Sequence, residues 1–330
     1  MSRKDRLEDC VITMKSIVDN GSSETETAVK IILFLFRKIF HYNYLCTSYY
    51  FMDLKTLKDT ATQVRRDIVR MVHGCQSGHP GGSLGCTDFL VALYFHTMKH
   101  DPSFSMDAKG EDVFFLSNGH ISPVFYSVLA RSGYFPVSEL ASFRKLNSRL
   151  QGHPATHEHL PGVRIASGSL GQGLSVACGA ATAKKLNNDN RFVYSLHGDG
   201  ELQEGQNWEA IMFAAHHKLD NLIATIDYNG QQIDGPVSKV MGLDSIKEKF
   251  TAFGWDVLEM DGNDMEAVVN TLALAQTLAG KGKPVCIVMK TEMGKGVDFM
   301  EGTHEWHGIA PNDAQLAQAL AQLPETLGDY

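Results

Sequence analysis

Five short apolar runs, each closed by a polar turn, constrain the fold of this chain more than any other feature. Asp112–Leu116 ends in Ser117-Asn118-Gly119-His120, Phe192–Leu196 runs into His197-Gly198-Asp199-Gly200, and Asn221–Ile226 runs into Asp227-Tyr228-Asn229-Gly230. Trp255–Met260 stops at Asp261-Gly262, and Val285–Met289 stops at Lys290-Thr291. Runs this short and this apolar read as strands buried on both faces. Helical periodicity lies between them: one stretch follows the Gly171/Gly173 turn through Ala183, a second is Asn207–His217, and a third is Met265–Ala279 with Asn263 or Asp264 as N-cap. Apolar strands alternating with helices predict an α/β fold, a doubly wound and mainly parallel sheet with helices on both faces. Ligands bind such sheets beyond the carboxyl ends of the strands. Asn118-Gly119-His120, Asp199-Gly200 and Asn229-Gly230 stand at such ends.

An amphipathic helix is expected from Leu54 to about His73, with Leu57, Ala61, Val64, Ile68 and Met71 on its apolar face. We expect one α/β domain over residues 52–330, and residues 1–51 as a poorly ordered extension or an upstream start that is not used. The rival expectation for that segment is a helix packed on a partner. Its start is acidic (Asp5, Glu8, Asp9), unlike a signal peptide. Its apolar run Ile31–Phe36 is six residues, against the roughly 20 that a bilayer needs. The six cysteines are scattered with no C-x-x-C, the usage of a reduced, cytoplasmic protein. A formal net charge of −8 without a Lys/Arg run argues against nucleic acid and against an anionic membrane.

The strand ends suggest chemistry. Asp199 sits between two glycines, which leave its backbone free to approach a ligand, and Asn229 ends the next strand. Adjacent parallel strands would bring the two together. A carboxylate with an amide oxygen is a hard-oxygen set for Mg²⁺ or Ca²⁺, and Mg²⁺ completes its shell with phosphate and water. The pair therefore suggests a metal-bound diphosphate, although a lone Gly-Asp-Gly also occurs as a surface turn. Gly168-Ser169-Leu170-Gly171-Gln172-Gly173 offers free N–H groups at a helix start, which suits an anion or simply close helix packing. It is neither a Walker A loop nor G-x-G-x-x-G. His79, His120, His153 and His307 lie in loops flanked by Gly or Pro. Imidazoles converging from such loops suit a phosphate or a polyhydroxylated substrate. His153, His157 and His159 with His120 have a spacing that zinc could use, but Pro154 and Pro161 point to an irregular loop. His216 and His217 are expected exposed at a helix C-terminus.

The ordered motifs Ser77-Gly78-His79-Pro80-Gly81-Gly82, Leu116-Ser117-Asn118-Gly119-His120, Gly152-His153-Pro154, Gly168 to Gly173, Gly198 to Gly205 and Asn229 to Gly235 resemble transketolase. The likeness is to its N-terminal, thiamine-diphosphate-binding half, in the form made as a separate subunit. It implies that Asp199, Asn229 and the backbone carbonyl of Gln231 bind Mg²⁺ or Ca²⁺. His120, the Gly200 amide and the turn at Gly168 would hold thiamine diphosphate, with Leu170 and Ile233 against its rings. His79, His153 and His307 would face the sugar, and Glu204 and Glu209 would couple two active sites across a subunit interface. The implied reaction moves a two-carbon unit from a ketose phosphate to an aldose phosphate. It needs a C-terminal subunit carrying the pyrimidine-binding domain, in a heterotetramer. Ser169 stands where the family often has proline, and Tyr228 where many thiamine enzymes have a first Asn. Another thiamine enzyme half (a 1-deoxyxylulose-phosphate synthase or a dehydrogenase α-subunit) and a non-catalytic binding remnant are the alternatives.

Overall fold

The computed structural model describes residues 52–330; the expectation for residues 1–51 lies outside the described residues. Among the described residues there are seven strands: β1 Val113–Leu116, β2 Val193–Gly198, β3 Leu222–Tyr228, β4 Gln231–Gln232, β5 Gly235–Pro236, β6 Asp256–Asp261 and β7 Val285–Lys290. The α-helices among the described residues are α1 Leu54–Cys75, α2 Pro80–Gly85, α3 Thr87–Ala92, α4 Ser122–Arg131, α5 Gly173–Leu186, α6 Gly205–His216, α7 Val237–Met241, α8 Ile246–Ala252, α9 Met265–Leu278 and α10 Asp313–Gln322. The main sheet is wholly parallel in the order β1-β2-β3-β7-β6, and β4 and β5 form a separate antiparallel hairpin.

Successive side chains of a strand point to opposite faces, and in β1, β2, β3 and β7 both faces are buried, whereas β6, at the edge of the sheet, buries only Met260 fully and leaves Glu259 exposed, contrary to the expectation for its run. Tyr194, Leu196, Ile223, Val285, Ile287 and Met289 face one core with α1, α3, α4 and α9. Val193, Leu222, Ala224, Ile226, Cys286 and Val288 face the other, with α5, α6 and Phe250 of α8. That explains why those four strands read as unbroken apolar runs instead of alternating ones.

The helices have local causes. Asp53 caps α1 by accepting from Thr56 N, Asp264 caps α9, and Asn312 with Gln315 forms a capping box on α10. One buried polar link places α4, and with it the His120 segment that leads into it. Asp67 of α1 accepts from Ser127 Oγ at 2.7 Å and from Arg131 Nε and Nη2 at 2.5 and 2.8 Å. The helix expected from Asn207 begins two residues early, at Gly205, because a single 3₁₀ turn, Gly200–Gln203, leads straight into it. The β4–β5 hairpin has no counterpart among the elements expected from the sequence; two paired residues on each side carry too little pattern to be read.

Candidate active site

The parallel register sets Gly198 of β2 beside Asp227 of β3, so the two strands end together. Asp199 N donates to Asp227 O at 3.1 Å. The Asp199 carboxylate accepts from Gly200 N at 2.8 Å and from Gly230 N at 2.7 Å, which brings it against the loop that carries Asn229. Asn229 Nδ2 donates to Asp227 Oδ2 at 2.8 Å, and its Oδ1 accepts from Gln231 N at 2.9 Å. Asp227 also accepts the Thr291 hydroxyl. Burial, then the charge of Asp227, pushes the Asp199 carboxyl up to about 7 against the pull of its backbone donors. Burial likewise raises Asp227, opposed by Thr291, Cys86 and Asn229. Two buried carboxylates side by side, edged by amide oxygens, make an arrangement that a divalent cation stabilises.

Four histidines from four separate loops meet at the same edge of the sheet. The His79 ring lies 5.2 Å from that of His120, 6.1 Å from His153 and 5.5 Å from His307. His120 and His307 stack at 5.1 Å. The 3₁₀ turn His304–His307 lies against Gln231–Gln232, which joins the cluster to the Asn229 loop. Burial lowers His79 to about 4, helped by the charges of His307, Arg144 and His153. Burial also lowers His120, His307 and His153, with further contributions from His307 and His79, from His304 and from Arg144 respectively. All four rings are thus held neutral at neutral pH. His157 and His159 are exposed outside this cluster, and among the described residues no three His, Cys, Asp or Glu side chains gather as a metal site. His216 and His217 are exposed at the end of α6, as the sequence predicts.

The glycine-rich turn approaches this cluster as closely as glycine allows. Gly168 has φ +138°, and a Cβ there would stand 2.9 Å from the His153 ring. A Cβ on Gly173, the first residue of α5, would collide with the Ser117 side chain. Gly200 closes against Gln232, whose side-chain oxygen accepts from Gln203 Nε2 at 2.8 Å. Leu170 and Ile233 are 37% and 64% exposed, apolar groups left open beside the site. Glu204 precedes α6 and Glu209 lies within it; both are exposed, and the Glu204 Cβ lies where a side chain on Gly171 would go.

Three contributors escape a reading of the sequence. Asp227 orients Asn229, and the one available signal is an acid two residues before it at a strand end. Glu201 accepts from Ser117 Oγ, Gly171 N and Gly198 N. Arg144 Nη1 donates to Ser77 Oγ at 2.9 Å behind His79, and nothing local marks it.

Residues 57–325 match the family described as transketolase, thiamine diphosphate binding domain. The chain belongs to the transketolase family. It is 38% identical over 277 residues to an apulose-4-phosphate transketolase subunit of Actinobacillus succinogenes, covering 84% of this chain and 99% of that protein. A 6-deoxy-6-sulfo-D-fructose transketolase subunit of a Clostridium species is 37% identical, over 81% of this chain and 96% of the subunit. Human transketolase is 38% identical, but the match spans 42% of its length. The crystal structure of the Campylobacter jejuni transketolase superposes with a TM-score of 0.76 at 37% identity, covering 82% of this chain and 43% of that one. This chain therefore spans nearly all of the two subunit relatives and about two-fifths of the human and Campylobacter jejuni transketolases. The matched domain is the one that binds thiamine diphosphate, and the local chemistry fits that group. Asn118 Oδ1, Ser167 Oγ, His79 Nδ1, His307 Nδ1 and Gln231 Oε1 are buried without a hydrogen-bond partner, and all belong to the segments that form the site. Buried polar atoms left unpaired are costly unless a ligand or water meets them.

Proposed function

We propose that this chain is the cofactor-binding subunit of a two-chain transketolase, moving a two-carbon ketol unit from a ketose phosphate to an aldose phosphate. The observation that carries this reading is the convergence of four histidine rings beside the Asp199–Asn229 strand ends. Asp199, Asn229 and the Gln231 carbonyl would hold Mg²⁺ or Ca²⁺, a hard-oxygen set. His120, the Gly200 N–H and the backbone at Gly168 would hold the diphosphate, and Leu170 and Ile233 would cover the rings. Thiamine diphosphate, when bound, supplies the electron sink for the carbanion that C–C cleavage leaves.

His79, His153 and His307 would face the sugar. A ring that stays neutral accepts a hydrogen bond on one nitrogen and donates one from the other. That suits it to orient sugar hydroxyls and to pass their protons. Residues 52–330 would form one diphosphate-binding domain, completed by a separate subunit with the pyrimidine-binding domain. Glu204 and Glu209, exposed near the site, would lie in the contact between copies of a heterotetramer. Relatives carry names for apulose 4-phosphate and for a sulfonated fructose, so the donor is the open variable.

The test is an assay of the chain alone and mixed with a candidate C-terminal subunit, each with thiamine diphosphate and Mg²⁺. Donors are xylulose 5-phosphate, sedoheptulose 7-phosphate, apulose 4-phosphate and 6-deoxy-6-sulfofructose. Acceptors are ribose 5-phosphate and glyceraldehyde 3-phosphate. Turnover by the mixture alone is expected. Robust turnover without the partner, or none with it on any donor, refutes the reading.

A further inference from the structure

Glu201 has no place among the groups assigned to metal, cofactor or sugar, yet its side chain is spent entirely on the loops that hold them. The residue is 3% exposed. Oε1 accepts the hydroxyl of Ser117, just after β1, and the N–H of Gly171 at 2.8 Å. Oε2 accepts the N–H of Gly198, the last residue of β2, at 3.0 Å. Ser117 Oγ in turn accepts the N–H of Gly173, which opens α5, at 3.1 Å. The backbone under Glu201 is itself held, because its carbonyl accepts from Asn207 Nδ2 at 2.8 Å. One carboxylate thus joins the Ser117 strand end, the glycine-rich turn and the Gly198 strand end. These are three segments far apart in sequence that meet only at the site.

A carboxylate is unfavourable in a protein interior unless its oxygens are paired. Here each oxygen is paired, and every donor comes from a segment of the proposed cradle. Backbone N–H groups serve an anion only when their direction is set before the anion arrives.

We propose that Glu201 is a positioning residue for the cofactor, a clasp that sets the three diphosphate-facing segments in their binding geometry. This rests on the functional reading above. The amide isostere tests it cleanly. Glu201→Gln keeps the volume, but its NH₂ group must face an N–H or O–H donor, so one arm of the clasp opens.

Thiamine diphosphate binding with Mg²⁺ to the two-subunit mixture would be measured by calorimetry, together with amide hydrogen exchange at Gly171, Gly173 and Gly198 of the full chain. Glu201→Gln should weaken thiamine diphosphate binding by about tenfold or more. It should also speed exchange at those amides without thiamine diphosphate. In the two-subunit mixture the KM for thiamine diphosphate should rise likewise, while kcat at saturating cofactor stays within about threefold. Ser117→Ala, which removes one arm and keeps the carboxylate, should give a smaller change in the same direction, and it carries the test should Glu201→Gln fail to fold. A Glu201→Gln chain that melts earlier but binds thiamine diphosphate within about twofold of wild type refutes the clasp and leaves only a structural role. A wild-type two-subunit mixture that binds no thiamine diphosphate overturns the functional reading itself, and the clasp with it.

Discussion

Replacing His79 with Asn should make the chain steadily more stable relative to wild type as the pH falls from 6.5 towards 4. Folding lowers this imidazole from an ordinary 6.5 to about 4, first through burial and then through the charges of His307, Arg144 and His153. Above pH 6.5 the ring is neutral whether the chain is folded or not, and it contributes no pH dependence. Below 6.5 the unfolded chain takes up a proton that the folded chain refuses, so stability drains away as the pH falls and the loss is complete below about 4. At about 1.4 kcal/mol for each pH unit between the two values, the full gap is worth roughly 3 kcal/mol. Allowing for the partial exposure of the ring, about 2 kcal/mol should be lost between pH 7.5 and 4.5. The total stability curve does not isolate this loss, because Asp199, raised to about 7, moves stability the other way over the same range. The readout is therefore a difference. Urea unfolding of wild type and His79→Asn, in chelator and without thiamine diphosphate, is compared at pH 7.5, 6.5, 5.5 and 4.5. Asn can occupy the N-cap position that His79 holds on α2. A difference that stays flat across the series, or that moves against the variant at low pH, refutes the account of a desolvated imidazole cluster.

Gly168→Ala should cost about 1–3 kcal/mol in a thermal melt, because its φ of +138° and the His153 ring at 2.9 Å leave no room for a Cβ. It should weaken thiamine diphosphate binding as well. Asp199→Asn should abolish Mg²⁺-dependent thiamine diphosphate binding by calorimetry, while the ligand-free chain melts at or above the wild-type temperature, since a buried carboxylate facing Asp227 is lost. A variant that still binds thiamine diphosphate in a Mg²⁺-dependent manner would remove Asp199 from the metal site. Arg131→Met strands the buried Asp67 carboxylate and should destabilise by about 3 kcal/mol in urea titrations. A loss near zero would show that α4 is placed by apolar packing alone.

Much of this architecture is readable without coordinates. The five strands of the main sheet stand within one or two residues of the apolar runs that predict them, and in all but the edge strand β6 burial on both faces demands unbroken runs that are local in sequence. Helix starts are readable for the same reason: a cap such as Asp264 lies within a few residues of the N–H groups that it meets. Loop histidines stand out by their Gly and Pro neighbours, and the structure does gather His79, His120, His153 and His307.

What joins those loops is not readable. The link between Ser117 and Glu201 crosses 84 residues, and the link between Ser77 and Arg144 crosses 67. A long side chain in a turn carries no mark of a partner that distant. Nor does any local pattern say that β7 lies between β3 and β6, which sets Thr291 beside Asp227. Local patterning therefore determined the elements and the residue types at their ends, since propensity and burial act over short stretches of chain. Only the packed sheet decided which ends meet, because strand order and register depend on the free energy of the whole core. Which oxygens stay unpaired, and which imidazoles stay neutral, follows from that meeting.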